Sequence, residues 1–102
     1  MININETYAV LAYEAVTVAA AAVGFTTTYL DHATYGHCRA VFCTLETAQI
    51  RFRLDGTDPT SSEGHLLEAG QTLTLENPGD IKNFSAIRTG ANSGTLRVSY
   101  RY

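Results

Sequence analysis

Apolar and polar residues alternate along much of the chain from residue 39 onward. In Ile50–Leu54 the isoleucine, phenylalanine and leucine fall on one face, and Arg51 and Arg53 fall on the other. The end of the sequence alternates in the same way, with Leu96, Val98, Tyr100 and Tyr102 against Arg97, Ser99 and Arg101. A period of two is typical of strands that bury one face. Both segments are therefore predicted to be half-buried strands.

Shorter runs predict further strands. Arg39–Leu45 is rich in residues that favour extended structure. His65–Glu68 and Gln71–Leu75 flank a glycine turn and are predicted to form a hairpin. After the turn residues Asn77–Asp80, another short strand is predicted from four apolar positions, Ile81, Phe84, Ala86 and Ile87.

The first third of the chain is less regular. Val16–Val18 and Thr26–Tyr29 favour a strand, whereas the alanines Ala19–Ala22 between them favour a helix. Four alanines are too few to hold an isolated helix, so a strand followed by a short turn is predicted. Residues 1–35 are accordingly expected to form a less regular region that is available for assembly contacts.

The spacing of the turn clusters predicts the fold class. Turn residues recur about every 8–12 positions, which is typical of β-sandwiches and barrels. A chain of 102 residues has the size of one domain. We therefore expect residues 1–102 to form an all-β protein, a single β-sandwich or jelly-roll-like domain of about 7–8 antiparallel strands.

Composition and charge exclude several classes of partner. Apolar residues make up 45% of the chain, and ten acids against seven bases give a net charge of −3. Such a chain has no broad attraction for polyanions, so neither nucleic acid nor an acidic membrane surface is expected as a partner. The most apolar run, Ala15–Gly24, is shorter than the roughly 20 residues of a spanning helix. The start carries no Lys or Arg before its first apolar stretch, so no secretory signal is expected.

The two cysteines are expected to be free thiols. Cys38 and Cys43 lie five positions apart in a segment predicted to be extended. Such a spacing sends their side chains to opposite faces and separates them by about 16 Å. A disulfide requires Cα atoms within about 7 Å.

No motif in the sequence predicts a metal site, a cofactor or catalysis. His32, His37, Cys38 and His65 match no zinc-ligand spacing, so loop histidines beside a structural thiol are expected instead. Asp55 and Asp58 could offer oxygen ligands to calcium, but they lack the order of a calcium-binding loop and suit an ordinary turn. A nucleophile elbow and a phosphate-binding glycine loop are both missing from the sequence. The protein is therefore expected not to be an enzyme and to need no cofactor.

Arginines and tyrosines are the candidate interface residues. Arginine pairs carboxylates at protein interfaces better than lysine does, and six of the seven bases are arginines. Tyrosine outside a core often marks a contact surface. The candidates on this basis are Arg51, Arg53, Arg97 and Arg101 together with Tyr8, Tyr13, Tyr29 and Tyr35. The alternatives are a solvated arginine face with weak ion pairs and tyrosines that pack under loops.

The second half of the chain contains a series of short motifs: Ile50-Arg-Phe-Arg, Asp55-Gly-Thr-Asp-Pro-Thr60, Gly64-His-Leu-Leu, the turn at Gly70, Phe84-x-Ala-Ile-Arg88 and the closing Leu-x-Val-x-Tyr100. In these motifs it resembles small virion proteins of tailed bacteriophages. The resemblance implies a small β-sandwich structural subunit such as a head decoration, or cement, protein. The Gly64-His65…Gly70-Gln71 segment also resembles the cupin-type jelly roll, although the paired histidines and the glutamate that hold the cupin metal are missing.

The resemblance and the residue pattern together give an expected function. We expect a non-enzymatic subunit of a phage particle that contacts the major capsid protein or another virion protein and forms a homo-oligomer, taken here as a trimer. Its place would be the virion, after assembly in the cytoplasm of the host bacterium. One alternative is a neck, tail or fibre subunit. An alternative of another class is a carbohydrate- or calcium-binding module that uses the Asp55–Gly64 loop.

Overall fold

In a computed structural model, which describes residues 9–102, two antiparallel β-sheets face each other across one hydrophobic core. The larger sheet has the strand order β1-β9-β4-β7, the smaller sheet has the order β6-β5-β8, and β2 pairs with β3 in a short ladder. The elements are β1 (Val10–Val18), a 3₁₀ turn (Thr27–Tyr29), β2 (Asp31–His32), β3 (Gly36–His37), β4 (Ala40–Glu46), β5 (Ile50–Arg53), β6 (His65–Leu67), β7 (Thr72–Leu75), α1 (Pro78–Asn83), β8 (Ser85–Arg88) and β9 (Gly94–Arg101).

The alternation of apolar and polar residues in the sequence corresponds to an alternation of buried and exposed side chains along the strands. Along β9 every second residue is buried, and Leu96, Val98 and Tyr100 have no exposed surface. Ile50 and Phe52 of β5 point into the same core from the smaller sheet. The predicted all-β sandwich is therefore confirmed, with both sheets antiparallel.

Strand β1 is longer than the three residues Val16–Val18 that its sequence indicated. It runs for nine residues and pairs with β9 along its length, with a bulge between Val10 and Ala12. After a bend at the alanine run, the chain crosses to the smaller sheet, where Val23 forms an isolated bridge with Ala86. The tertiary pairing with β9, which the local pattern does not reveal, stabilises this strand.

The predicted hairpin of residues 65–75 is wrong. Strand β6 pairs with β5 in the smaller sheet, whereas β7 pairs with β4 in the larger sheet. The turn between them therefore crosses from one sheet to the other, and Gly70 N–H donates to the Leu45 carbonyl at 2.7 Å. Leu67 on one side of the turn and Leu75 on the other are both buried in the shared core.

The strand predicted to begin at Ile81 is shorter than expected because its first residues form α1. The side chain of Asn77 caps this helix by accepting hydrogen bonds from the backbone N–H groups of Gly79 and Asp80. Pro78 occupies the first turn, where its missing N–H leaves no bond unmade. Ile81 is still buried, but from a helix, and the strand itself begins at Ser85.

Candidate functional site

The side chains of the larger sheet that point away from the core form a broad surface, called here the outer face. The register places Tyr13 of β1, Ser99 of β9, Phe42 of β4 and Thr74 of β7 side by side in one row. Tyr13 is 54% exposed and Phe42 is 43% exposed. Since neighbouring strands lie about 4.8 Å apart, the two aromatic residues sit about 10 Å apart across the sheet. The row thus presents two aromatic side chains to solvent, separated by a serine.

Arg97 lies on the outer face in the next row, and its guanidinium group is held at two points. Its Nε donates to Oε1 of Glu46 at 2.8 Å, and its Nη1 donates to the Tyr13 hydroxyl at 2.8 Å. The contacts with Tyr13 and then Glu46 raise the pKa of Arg97 above its ordinary value, so the side chain stays cationic. The carboxylate partner expected for Arg97 is therefore supplied within the chain, and the pairing orients Tyr13.

The apolar part of the outer face continues along β1. Leu11, next to the bulge, is 45% exposed, as is Val10. Arg101 lies at the same end of the sheet, half-buried and opposite Ala40. Exposed aromatic and aliphatic groups beside arginines are the composition that protein interfaces favour.

Part of the outside of the smaller sheet is covered by the chain's own loop. Arg51 of β5 donates from Nε to the Ser61 carbonyl at 3.1 Å and from Nη1 to the Gly64 carbonyl at 2.8 Å. Arg53 pairs with Asp55 through two hydrogen bonds of 3.1 and 2.5 Å. Both arginines point outward as predicted, but the structure uses them to hold the loop between β5 and β6.

The four candidate tyrosines have different surroundings. Tyr29 is half-buried and stacks on Tyr100, with ring centroids 5.2 Å apart, so it belongs to the core margin. Tyr35 is 56% exposed between β2 and β3, beside the ring of His32. Tyr8 lies outside the described residues. Tyr13 is therefore the candidate tyrosine that the structure places beside a candidate arginine.

Sequence reasoning missed Phe42. This residue falls within the predicted strand Arg39–Leu45, and its position alternates with three buried ones, Val41, Cys43 and Leu45. Side chains alternate between the two faces of a strand, and this rule, which predicted that the arginines of β5 point outward, also predicts that Phe42 points outward. An outward phenylalanine in a strand with a buried opposite face is the signal that could have found it.

The histidines and acids of the predicted loops make contacts within the chain. Nδ1 of His32 accepts hydrogen bonds from the backbone N–H groups of Thr34 and Tyr35. His37 contacts Asp31, and Asp58 accepts a hydrogen bond from the Ser85 hydroxyl at 2.8 Å. Within residues 9–102, no group of three or more histidines, cysteines and acids is placed to hold a metal ion.

Both cysteines are free and buried. The expectation that they point to opposite faces is wrong, because Cys38 precedes β4 and both side chains join the core. Sγ of Cys38 donates to the Ala40 carbonyl at 3.3 Å. Burial raises the pKa of the Cys38 thiol and raises that of Cys43 to about 12.

Alkaline pH should destabilise the fold through these thiols. The Cys43 thiol stays neutral in the folded state up to about pH 12, whereas in the unfolded chain it ionises near its ordinary value of 9.0. The stability that comes from the neutral thiol is therefore complete below pH 9 and is lost as the pH rises toward 12. Urea unfolding between pH 8 and 10.5 should show a falling free energy of unfolding, with a shallower slope in Cys43→Ala. An equal slope in the two proteins would contradict this assignment.

Comparison of the chain with protein-family models, with curated proteins and with solved structures gives no match. No helix in the described part of the chain is both long and apolar enough to span a membrane.

Proposed function

We propose that this protein is a non-enzymatic structural subunit of a phage particle, a capsid decoration protein that binds its neighbours through the outer face. One observation carries the proposal: the outer face exposes Tyr13 and Phe42 on a four-stranded sheet, beside an arginine that is already oriented. The partner would be the major capsid protein or another virion protein.

The contrast between the two sheets supports a docking role for the larger one. The loop between β5 and β6 lies against the smaller sheet, held by Arg51, and buries Pro59. On the larger sheet Leu11, Tyr13 and Phe42 are each at least 43% exposed, whereas on the described smaller sheet Leu66 is the one large apolar side chain that is comparably exposed. Tyrosine and arginine are enriched among residues that dominate binding energy, and Arg97 is already held in place by the chain itself. Such preorganisation lowers the entropic cost of binding.

The resemblance of residues 50–101 to small virion proteins supports a role in a phage particle, but it does not distinguish the head from the neck, tail or fibre. A neck, tail or fibre subunit would use the same surface, so these alternatives differ from a decoration protein in the partner and not in the mechanism. The mechanism in each case is burial of the aromatic row against a neighbouring protein in many copies.

Binding to particles tests this function directly. The purified protein should co-sediment with phage capsid shells that lack it, and Phe42→Ser should weaken binding about 10-fold or more, since truncating a central aromatic contact removes at least about 1.4 kcal/mol. Leu66→Ser is the matched control, because Leu66 is 47% exposed on the other sheet and should leave binding unchanged. Equal binding of Phe42→Ser and the wild type, or no binding of the wild type to shells, necks or tails, would overturn the proposal.

A carbohydrate-binding module is the second candidate, and the same aromatic row favours it. Sugar rings stack on aromatic side chains, and two aromatic residues about 10 Å apart on one sheet could contact successive rings of a chain. Asp55 of the loop first considered for ligand binding is engaged by Arg53. A polysaccharide that binds the folded state should raise the melting temperature, and Phe42→Ser should abolish the rise. A shift with glycans together with no binding to shells would favour this candidate.

A further inference from the structure

Strand β1 leaves one of its two edges open. Arg39 N–H donates to the Arg101 carbonyl, so the backbone groups of Arg101 point from β9 toward β4. Along an antiparallel ladder the direction alternates from one residue to the next, so Tyr100, Val98 and Leu96 point toward β1. Their partners on β1 are every second residue of that strand, Ala12, Glu14 and Val16.

The residues that alternate with Ala12, Glu14 and Val16 along β1 therefore carry the backbone groups that are not bonded to β9. The backbone N–H and C=O groups of Tyr13, Ala15 and Thr17 point away from β9, and within residues 9–102 no strand pairs with them. An antiparallel strand placed there would meet a regular series of donors and acceptors.

This edge lacks the features with which proteins block strand pairing. The sequence of β1, VLAYEAVTV, contains no lysine, arginine or proline. Its one charged residue, Glu14, turns its carboxylate inward, where it accepts hydrogen bonds from Thr26 and Tyr100. The open edge is therefore long, extended and free of exposed charge.

The other sheet edges that the structure describes are shorter or partly covered. Strand β7, at the far side of the larger sheet, has four residues, and β6 has three. The edge of β8 is partly covered, because Val23 pairs with Ala86 of this strand in an isolated β-bridge. Among the described residues β1 offers the longest open edge.

We propose that β1 pairs with β1 of a second copy of this chain, antiparallel about a two-fold axis that passes through Ala15. In this register Ala15 faces its own counterpart, and Tyr13 faces Thr17 of the other copy on both sides of the axis. Each facing pair exchanges two backbone hydrogen bonds. The two larger sheets become one continuous sheet whose outer face carries the aromatic row twice.

Three observations favour a second copy as the occupant. A two-fold contact requires a self-complementary surface, and a strand of nine residues matches itself in length. Although each copy has a net charge of −3, the edge brings no exposed charge against its counterpart. The facing side chains are a small residue at the axis and aromatic–threonine pairs beside it, which is a favourable cross-strand combination.

The proposal replaces the trimer expected from the sequence with a dimer, and it does not depend on the phage role. Tyr13 lies on this edge and faces the second copy, whereas Phe42 lies two strands away on β4, so a second copy on β1 leaves Phe42 free for another partner. In this register residues 12–18 of the two copies overlap, and a contact strip about 24 Å long is at the small end of specific interfaces, so the dimer should depend on concentration.

Light scattering after size exclusion tests the pairing with two proline variants. The wild type should reach twice its 11.1 kDa chain mass at high concentration. Ala15→Pro removes a free N–H without touching the ladder to β9, and it should remain monomeric at the highest concentration tested. Thr74→Pro removes the equivalent free N–H from β7, since Leu73 and Leu75 make the bonds to β4, and this control should still dimerise.

Amide hydrogen exchange of the wild type gives a second readout that needs no variant. The amides of Tyr13, Ala15 and Thr17 should become protected as concentration rises, whereas those of Thr72 and Thr74 should not. The proposal would be overturned if the wild type is a monomer, a trimer or an open-ended assembly, or if the Ala15→Pro variant still dimerises. A failure of this kind leaves binding of the outer face to shells intact, and a loss of shell binding in Phe42→Ser leaves the dimer intact, so the two proposals fail separately.

Discussion

Replacing Phe84 with alanine should destabilise the fold by about 3–5 kcal/mol, which is a large part of the 5–15 kcal/mol of a typical domain. Phe84 is 4% exposed and lies between α1 and β8. Its ring stacks on Phe25 with centroids 4.3 Å apart and on Phe52 with centroids 5.8 Å apart. Truncation would leave a cavity where the crossing segment after β1 meets the smaller sheet.

Phe42→Ala is the matched control because it removes the same ring from the outer face. A phenylalanine that is 43% exposed leaves no buried cavity, so the expected change is within about 0.5 kcal/mol. Urea unfolding of the three proteins, followed by tyrosine fluorescence, measures both changes. Similar losses of stability in the two variants would mean that Phe84 does not pack in the core as described.

The alternating pattern predicted the faces of the strands better than their partners. Ile50 and Phe52 are buried and the intervening arginine points outward, as the sequence indicated, because burial of one face follows from the period of two alone. The pairing of β6 and β7 was not predictable in this way, since a local turn signal is compatible with a hairpin and with a crossing between sheets. Which sheet accepts each strand depends on contacts distant in the sequence, such as the bond between Gly70 and Leu45.

The candidate interface could be predicted in part. The sequence pointed to arginines and tyrosines, and the structure brings Arg97 and Tyr13 together across two adjacent strands. It could not reveal that Arg51 is engaged by the carbonyls of its own loop, because that bond depends on how residues 55–64 fold back over the sheet. Local pattern gives the direction of a side chain, whereas the partner is set by tertiary structure.

Glu14 connects the stability of the core with the open edge of β1. It sits on the inward side of the strand, half-buried, and its carboxylate accepts a hydrogen bond from the Tyr100 hydroxyl. The same carboxylate accepts from the Thr26 N–H at 3.1 Å and from the Thr26 hydroxyl at 2.5 Å. Burial, and then the contact with Glu14, raises the pKa of Tyr100 above its ordinary value, which keeps the hydroxyl a donor.

Glu14→Ala should therefore destabilise the fold by about 1–3 kcal/mol, since the buried Tyr100 hydroxyl loses its charged acceptor. Glu14→Gln keeps an acceptor oxygen and should cost about 1 kcal/mol. Adding Tyr100→Phe to Glu14→Ala removes the orphaned hydroxyl, so the double variant should recover part of the loss, and urea unfolding of the full cycle measures that coupling. Strictly additive losses would show that the hydroxyl and the carboxylate do not depend on each other. The same hydrogen bonds hold the one charge of β1 on the inward side of the strand, so the open edge carries no exposed charge.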